Sequence, residues 1–301
     1  MIAHLPMYDV PANRAAHRRL WQAVQDHLPD APDLTPPSEN LMVDWLSPEL
    51  YLSQTCGLPY RAALHGQVQL IATPDNQIPN CPPGYYCSVL LARRGAVPDL
   101  AANDFTLAYN EPLSQSGWAA PQSIGLTGAT RLQTGGHAAS ARAVLEGRAD
   151  LAAVDALTWH FLTRDWDKAA GLEICATTPA TPTLPYITAL GQNASALREA
   201  LRQAILSIGL KDRQTLQIFD LVEINAEAAE ADRALAEATA GDDLAALEAA
   251  IAAHKGAANR EPLVRAKNTR AQLRKAAADA AHAALHAAHA AAAVQLAALA
   301  A

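Results

Sequence analysis

The stretch Asn110-Glu111-Pro112-Leu113-Ser114-Gln115-Ser116-Gly117-Trp118-Ala119-Ala120-Pro121 follows a short apolar run, residues 105–109, and opens what reads as a helix. An apolar run of that length bounded by turn residues fits a buried strand, so the local order is strand, loop, helix start. The first amides of a helix lack intrahelical acceptors and carry the positive end of the macrodipole. Two serines beside Gly117 therefore make a seat for an anion. Pro121 has no N–H to give the preceding turn, so this helix is short or kinked. On spacing alone, Ser114 is better read as an ordinary N-cap.

Working outward toward the N-terminus, residues 1–8 read as a first strand, and residues 13–27 as an amphipathic helix through Leu20, Trp21, Val24 and Leu28. Residues 30–38, with three prolines, form a loop. Residues 41–46 read as a second strand, Ser47-Pro48-Glu49 as a helix start, and residues 67–72 as a third strand. Residues 81–93 form a turn feeding a long strand of the kind that crosses between lobes. Toward the C-terminus the pattern gives helix 138–145, strand 151–154, helix 156–162, strand 172–176, an apolar segment 186–190 and helix 194–208. Alternating strands and helices imply an α/β fold built on parallel sheet. A second lobe inserted into the first implies a double crossover and a cleft at the carboxyl ends of strands. Tyr8, Ser53-Gln54-Thr55-Cys56-Gly57, residues 114–117 and Asp155 fall at such ends.

The length of 301 residues suits two lobes rather than one core. The net charge of -7 argues against a general nucleic-acid binder. No run approaches a membrane span, and residues 1–8 do not form a basic-then-apolar leader, so the chain as written is expected to be cytoplasmic, or periplasmic if the true start lies upstream. Cys56, Cys81, Cys87 and Cys175 have no metal-ligand spacing; a Cys56–Cys81 bridge is conceivable, with reduced thiols the default. From residue 224 the composition turns to alanine, glutamate and then basic residues and histidine, which predicts two or three helices broken at Gly241 and Gly256, with 244–273 as a hairpin. His282, His286 and His289 share a helical face without a nearby carboxylate or cysteine, so they read as a solvated face and no metal or cofactor is expected.

Several segments together resemble the phosphate/phosphite/phosphonate substrate-binding proteins of ABC importers. They are Leu52-Ser53-Gln54-Thr55-Cys56-Gly57-Leu58-Pro59-Tyr60, Gly84-Tyr85-Tyr86, the serine loop, Gly136-His137-Ala138-Ala139-Ser140, the run from Gly147 to Asp155, and Leu184-Pro185-Tyr186. The resemblance covers residues 1–223 and implies a two-lobed fold of the type II periplasmic-binding-protein kind: lobe 1 from residues 1–90 and 187–223, lobe 2 from 91–186, and an alanine-rich tail, 224–301, unlike the family. It also implies a monomer that closes around a small phosphorus-containing anion, passes it to an ABC transporter permease, and performs no chemistry on it.

The ligand-binding set expected on this basis is Tyr8, Ser53, Gln54, Thr55, Tyr85, Ser114, Gln115, Ser116, His137 and Asp155. His137 is placed to donate to an oxyanion, and reads equally as a capping residue. Asp155 is placed to accept a proton from a ligand hydroxyl, or to cap the helix after it; beside an anion it favours protonated ligands over fully ionised phosphate. Only one of Tyr85 and Tyr86 can face the cleft, because strand side chains alternate. Tyr8, Trp45, Tyr60 and Trp118 could wall it, although aromatic core filler is commoner. Gln115 replaces the small residue usual in the family's loop. Two other readings remain: a cytosolic sensor of the same fold, and a hydrolase using Ser114, His137 and Asp155, or Cys56 with His137. The hydrolase lacks a Gly-x-Ser-x-Gly elbow.

Overall fold

The computed structural model describes residues 1–224 together with Thr269 and Arg270. Its strands are β1 (Ile2–Ala3), β2 (Leu50–Gln54), β3 (Val68–Asp75), β4 (Tyr85–Tyr86), β5 (Ser88–Arg93), β6 (Thr106–Tyr109), β7 (Thr130–Gln133), β8 (Leu151–Asp155), β9 (Leu172–Thr177), β10 (Thr181–Pro182), β11 (Tyr186–Ala189) and β12 (Asp220–Val222). They form two five-stranded sheets, ordered β1-β2-β11-β3-β12 and β7-β6-β8-β5-β9. Between them in sequence, β4 and β10 pair as a two-stranded ribbon, Tyr86 opposite Thr181. The chain leaves the first sheet after β3 and returns to it at β11, so the second lobe is inserted through a double crossover.

That crossover makes both sheets mixed, where strand and helix alternation alone predicted parallel ones. In the second sheet β6 runs parallel to β7 and β8, but β5 runs against β8 and β9. In the first, β1 is parallel to β2, and β11 runs against β2 and β3. Strands β5 and β11 are the first to enter each sheet from the other side, and they arrive without the covering helix that a parallel neighbour requires. Sheet membership changes between Tyr86 and Ser88 on the way out and between Thr177 and Tyr186 on the way back.

The expected second strand and helix start are exchanged. Residues Leu41–Trp45 form a short helix whose N-cap, Asn40, accepts the Met42 N–H at 3.1 Å. Residues 47–49 form a turn closed by the Leu50 N–H on the Ser47 carbonyl at 3.1 Å, and the strand is Leu50–Gln54. All five residues of β2 are buried, so the strand lacks the period-two alternation that marks a half-exposed one.

Helix Arg14–His27 and helix Ala194–Ser207 pack against each other and on the first sheet through Leu20, Trp21, Val24, Leu201 and Ile205. In the second lobe Val89 and Leu91 face helix His137–Leu145, whereas Leu90 and Ala92 join Phe105, Leu107 and Leu151 on the opposite face. Strand β5 is therefore buried on both sides and places its first residue, Ser88, against the serine loop. Among the described residues no helix is long and apolar enough to cross a membrane. Apart from Ile224, Thr269 and Arg270, the tail lies outside the described residues. The expected helices and the 244–273 hairpin, apart from Thr269 and Arg270, and the face of His282, His286 and His289 therefore lie outside them too.

His17, on the core side of its helix, has its Nδ1 buried without a hydrogen-bond partner. Burial lowers its pKa from 6.5 to about 4, with Asp9 opposing the shift. Because the folded-state value lies below the unfolded one, acidification protonates the unfolded chain first and stability falls between pH 6.5 and about 4. The loss contributed by His17 levels off at about 3 kcal/mol. Urea unfolding across that window should show this decline, flattened in His17→Leu; an equal slope in the variant would remove His17 as its source.

Candidate functional site

A cleft of about 1030 Å³ opens where the ends of the two sheets face each other. Its walls include Tyr8 and Cys56 from the first lobe, and Ser114, Ser116, His137 and Asp155 from the second. The serine loop forms because Ser114 caps a single wide helical turn, Gln115–Ala119, accepting the Gly117 N–H on its Oγ at 2.9 Å. As an acceptor there, the hydroxyl keeps its own proton free to donate, so capping and ligand binding are compatible. Gly117 is required by close approach: a Cβ at that position would lie 2.0 Å from Asn110 Oδ1 and 3.2 Å from His137 Cε1. The Ser116 carbonyl accepts the Ser88 hydroxyl at 2.9 Å, which ties the loop to the end of β5.

His137 is the first residue of its helix, and its ring lies between Ser116 and β8. Nδ1 lies 3.2 Å from the Ala153 carbonyl, which can only accept, so Nδ1 carries a proton. Nε2 faces Ser116 Oγ at 2.9 Å and Asp155 Oδ2 at 3.5 Å. In a Ser–His–acid relay the acid holds the imidazole nitrogen opposite the one that faces the hydroxyl. Here serine and carboxylate address the same nitrogen, and Ser114 is engaged with Gly117. The residues considered for a hydrolase are together in space without the relay geometry.

Asp155 caps helix Ala156–Asp165 and is almost fully buried. Oδ1 accepts the Thr158 N–H at 2.8 Å and the Tyr8 hydroxyl at 3.1 Å, and Oδ2 accepts the Thr158 hydroxyl at 2.5 Å. Tyr8 reaches across from the first lobe with a left-handed backbone, φ 60°, an uncommon conformation for a bulky residue. Asn13 Nδ2 donates to the Tyr8 carbonyl at 3.1 Å, and Asn13 Oδ1 accepts from Arg164 of the second lobe at 2.8 Å. Burial, and then the Asp155 charge, push the Tyr8 phenol well above its ordinary pKa, which keeps it a donor.

The other expected site residues are placed differently. Ser53 is fully buried behind the cleft, where its Oγ meets Trp45 Nε1 at 3.1 Å and His4 Nδ1 at 3.0 Å. His4 in turn pairs with Asp44 at 3.1 Å. Gln54 donates to the Leu184 carbonyl at 2.9 Å, and Thr55 takes the Pro185 carbonyl on its N–H at 3.0 Å, so both brace the return crossover. Gln115 turns away from the serine loop and accepts from Arg61, joining the two lobes. Trp45 does line the cleft, whereas Tyr60 packs in the core with Leu50 and Leu64, and Trp118 lies against Tyr109 with Arg131 over its ring.

Of the two adjacent tyrosines, Tyr86 rather than Tyr85 approaches the site. Burial, followed by Cys56 and Asp155, raises its phenol pKa well above normal. Ser116 is close enough to oppose that shift, although the Tyr86 hydroxyl makes no hydrogen bond of good geometry. Tyr86 and Cys56, both named in the sequence reading, lay outside the expected ligand-binding set. Alternation showed that one tyrosine must face in, but not which.

Two mixed sheets joined by a double crossover around a cleft are the architecture of two-lobed solute-binding proteins. The family described as the phosphonate ABC transporter periplasmic substrate-binding protein matches residues 8–233, and the chain belongs to it. Solved structures of the same fold include a methylphosphonate complex of the PhnD1 protein of Prochlorococcus marinus, at 15% identity and TM-score 0.59, with 75% of this chain and 92% of that one covered. A binding-protein component of an ABC phosphonate transporter of Pseudomonas aeruginosa aligns at 16% identity and TM-score 0.58 over 92% and 97% of the two chains. The malate-bound MatC protein of Rhodopseudomonas palustris aligns at 11% identity and TM-score 0.51 over 90% and 98%. No curated protein matches the chain.

Gly117→Ala should destabilise the protein by about 1–3 kcal/mol through overpacking against Asn110. Gly136→Ala, at an extended position with nothing within 4 Å of the added Cβ, should stay within about 0.5 kcal/mol of wild type. Equal urea midpoints for the two variants would contradict the close approach.

Proposed function

We propose that this chain binds a small phosphorus oxyanion, a phosphonate or phosphite, in the cleft and presents it to the permease of an ABC importer. The observation that carries this reading is the convergence of Ser114, Ser116, His137 and Asp155 from the second lobe with Tyr8 from the first. Hydroxyl donors, and the His137 imidazole when both of its nitrogens carry protons, suit a tetrahedral oxyanion, and hydrogen bonds to a charged group contribute about 1.5–3 kcal/mol each. The buried Asp155 carboxylate repels a fully ionised guest and accepts from one that keeps a P–OH, so protonated phosphonates and phosphite are preferred over the phosphate dianion. Binding and lobe closure are the whole of the work, with no bond made or broken. The protein acts as a monomer in the periplasm, the compartment in the family's description.

Isothermal titration with methylphosphonate, 2-aminoethylphosphonate, phosphite and phosphate tests the assignment. At least one of the first three should bind more tightly than phosphate, and absence of heat with all four would eliminate phosphorus oxyanions. Ser116→Ala and His137→Ala should each weaken binding by about 10- to 100-fold, the loss of one charge-assisted hydrogen bond. Asp155→Asn should narrow the preference against phosphate.

A further inference from the structure

Cys81 and Cys87 bracket the first crossover between the lobes. The turn between them, Pro82-Pro83-Gly84, is closed by the Tyr85 N–H on the Pro82 carbonyl at 3.0 Å. Gly84 adopts φ +78°, the left-handed region that glycine enters freely, and this reversal brings the chain back on itself. Cys81 and Cys87 both pack on the apolar cluster of Ile78, Tyr86, Leu157, Phe161 and Leu184, and a hydrogen bond joins their side chains. Both are partly exposed, so a soluble reagent can reach them. Cys56 is bonded instead to the backbone at Gln115, Leu58 and Gly57.

We propose that Cys81 and Cys87 form a redox-controlled disulfide that staples the first interlobe crossover and holds Tyr86 at the cleft. The oxidant is an external disulfide. The Cys87 thiolate attacks one sulfur of it, forming a mixed disulfide and expelling one thiolate. Cys81 then gives up its proton and attacks the Cys87 sulfur, forming the intramolecular bond and expelling the second thiolate. The two protons lost by the cysteines end on the two released thiols, so the external disulfide is reduced as the protein is oxidised. Cys87 suits the attacking role because the hydrogen bond from Cys81 lowers its pKa despite burial and the nearby Asp155 charge. Cys56 and Cys175, whose thiols burial pushes up, are slower competitors.

The test is peptide mapping of the full chain after incubation with oxidised glutathione and alkylation of the remaining thiols. Arg61 and Arg93 flank a segment with no other lysine or arginine, so trypsin releases both cysteines in one peptide, separate from Cys56 and Cys175. The expected result is that this peptide escapes alkylation and is lighter by two hydrogens, and that reduction by a phosphine reverses the change. Cys81→Ser should instead accumulate glutathione on Cys87 with no ring. A peptide that remains fully alkylated at both cysteines, or a bridge from either one to Cys56, would overturn the proposal.

Discussion

The Asp155 carboxylate, withdrawn almost completely from water at the cleft floor, is the constraint around which the site is built. A buried charge must be surrounded by donors, because leaving it unpaired costs several kcal/mol. Thr158 supplies two of them from the same helix start, and Tyr8 supplies another from the opposite lobe. One side chain therefore links the two lobes. Tyr8 has a left-handed backbone, and its carbonyl accepts from Asn13, which Arg164 joins in a second cross-lobe hydrogen-bond chain. His137, poised between Ser116 and this carboxylate, connects the anion donors to the same centre.

The double crossover supplies the frame for that arrangement. Strands β5 and β11 enter their sheets directly from the other lobe and run against their neighbours, so each lobe is a mixed sheet whose crossover strand is buried on both faces. Gln54, Thr55 and the Leu184–Pro185 carbonyls brace one passage, and β4, paired with β10, carries the other. Tyr86 rides on that ribbon, which is why a residue of the connection, rather than of either sheet, brings its hydroxyl beside Ser116. Residues that looked like ligand donors, Ser53 above all, serve the interior instead, in a closed set of contacts with His4, Asp44 and Trp45.

Fold and chemistry carry different information here. A malate complex and a methylphosphonate complex share this architecture at 11% and 15% identity, so the two-lobed frame does not by itself choose a guest. The side chains gathered at the cleft are the two serines of one helical turn, an imidazole at the start of another helix and a single buried carboxylate beside it.

The sequence by itself determined the α/β class, the position of most helices, the inserted second lobe and the serine loop. Each is written in local signals: helical spacing at Leu20, Trp21 and Val24, turn residues around short apolar runs, and serines ahead of Gly117. It also pointed to Tyr8 and Asp155, as residues that follow strands, and to His137, at a helix start within a segment that resembles the family. Only the tertiary structure decided strand direction, the exchange of helix and strand around residues 41–54, and which polar residues face the guest. Sheet direction depends on where a returning strand docks, and β2 carries no alternation because both its faces are buried. Whether Ser53 or Cys56, Tyr85 or Tyr86, meets the cleft depends on contacts between residues far apart in the chain, and no periodicity records those.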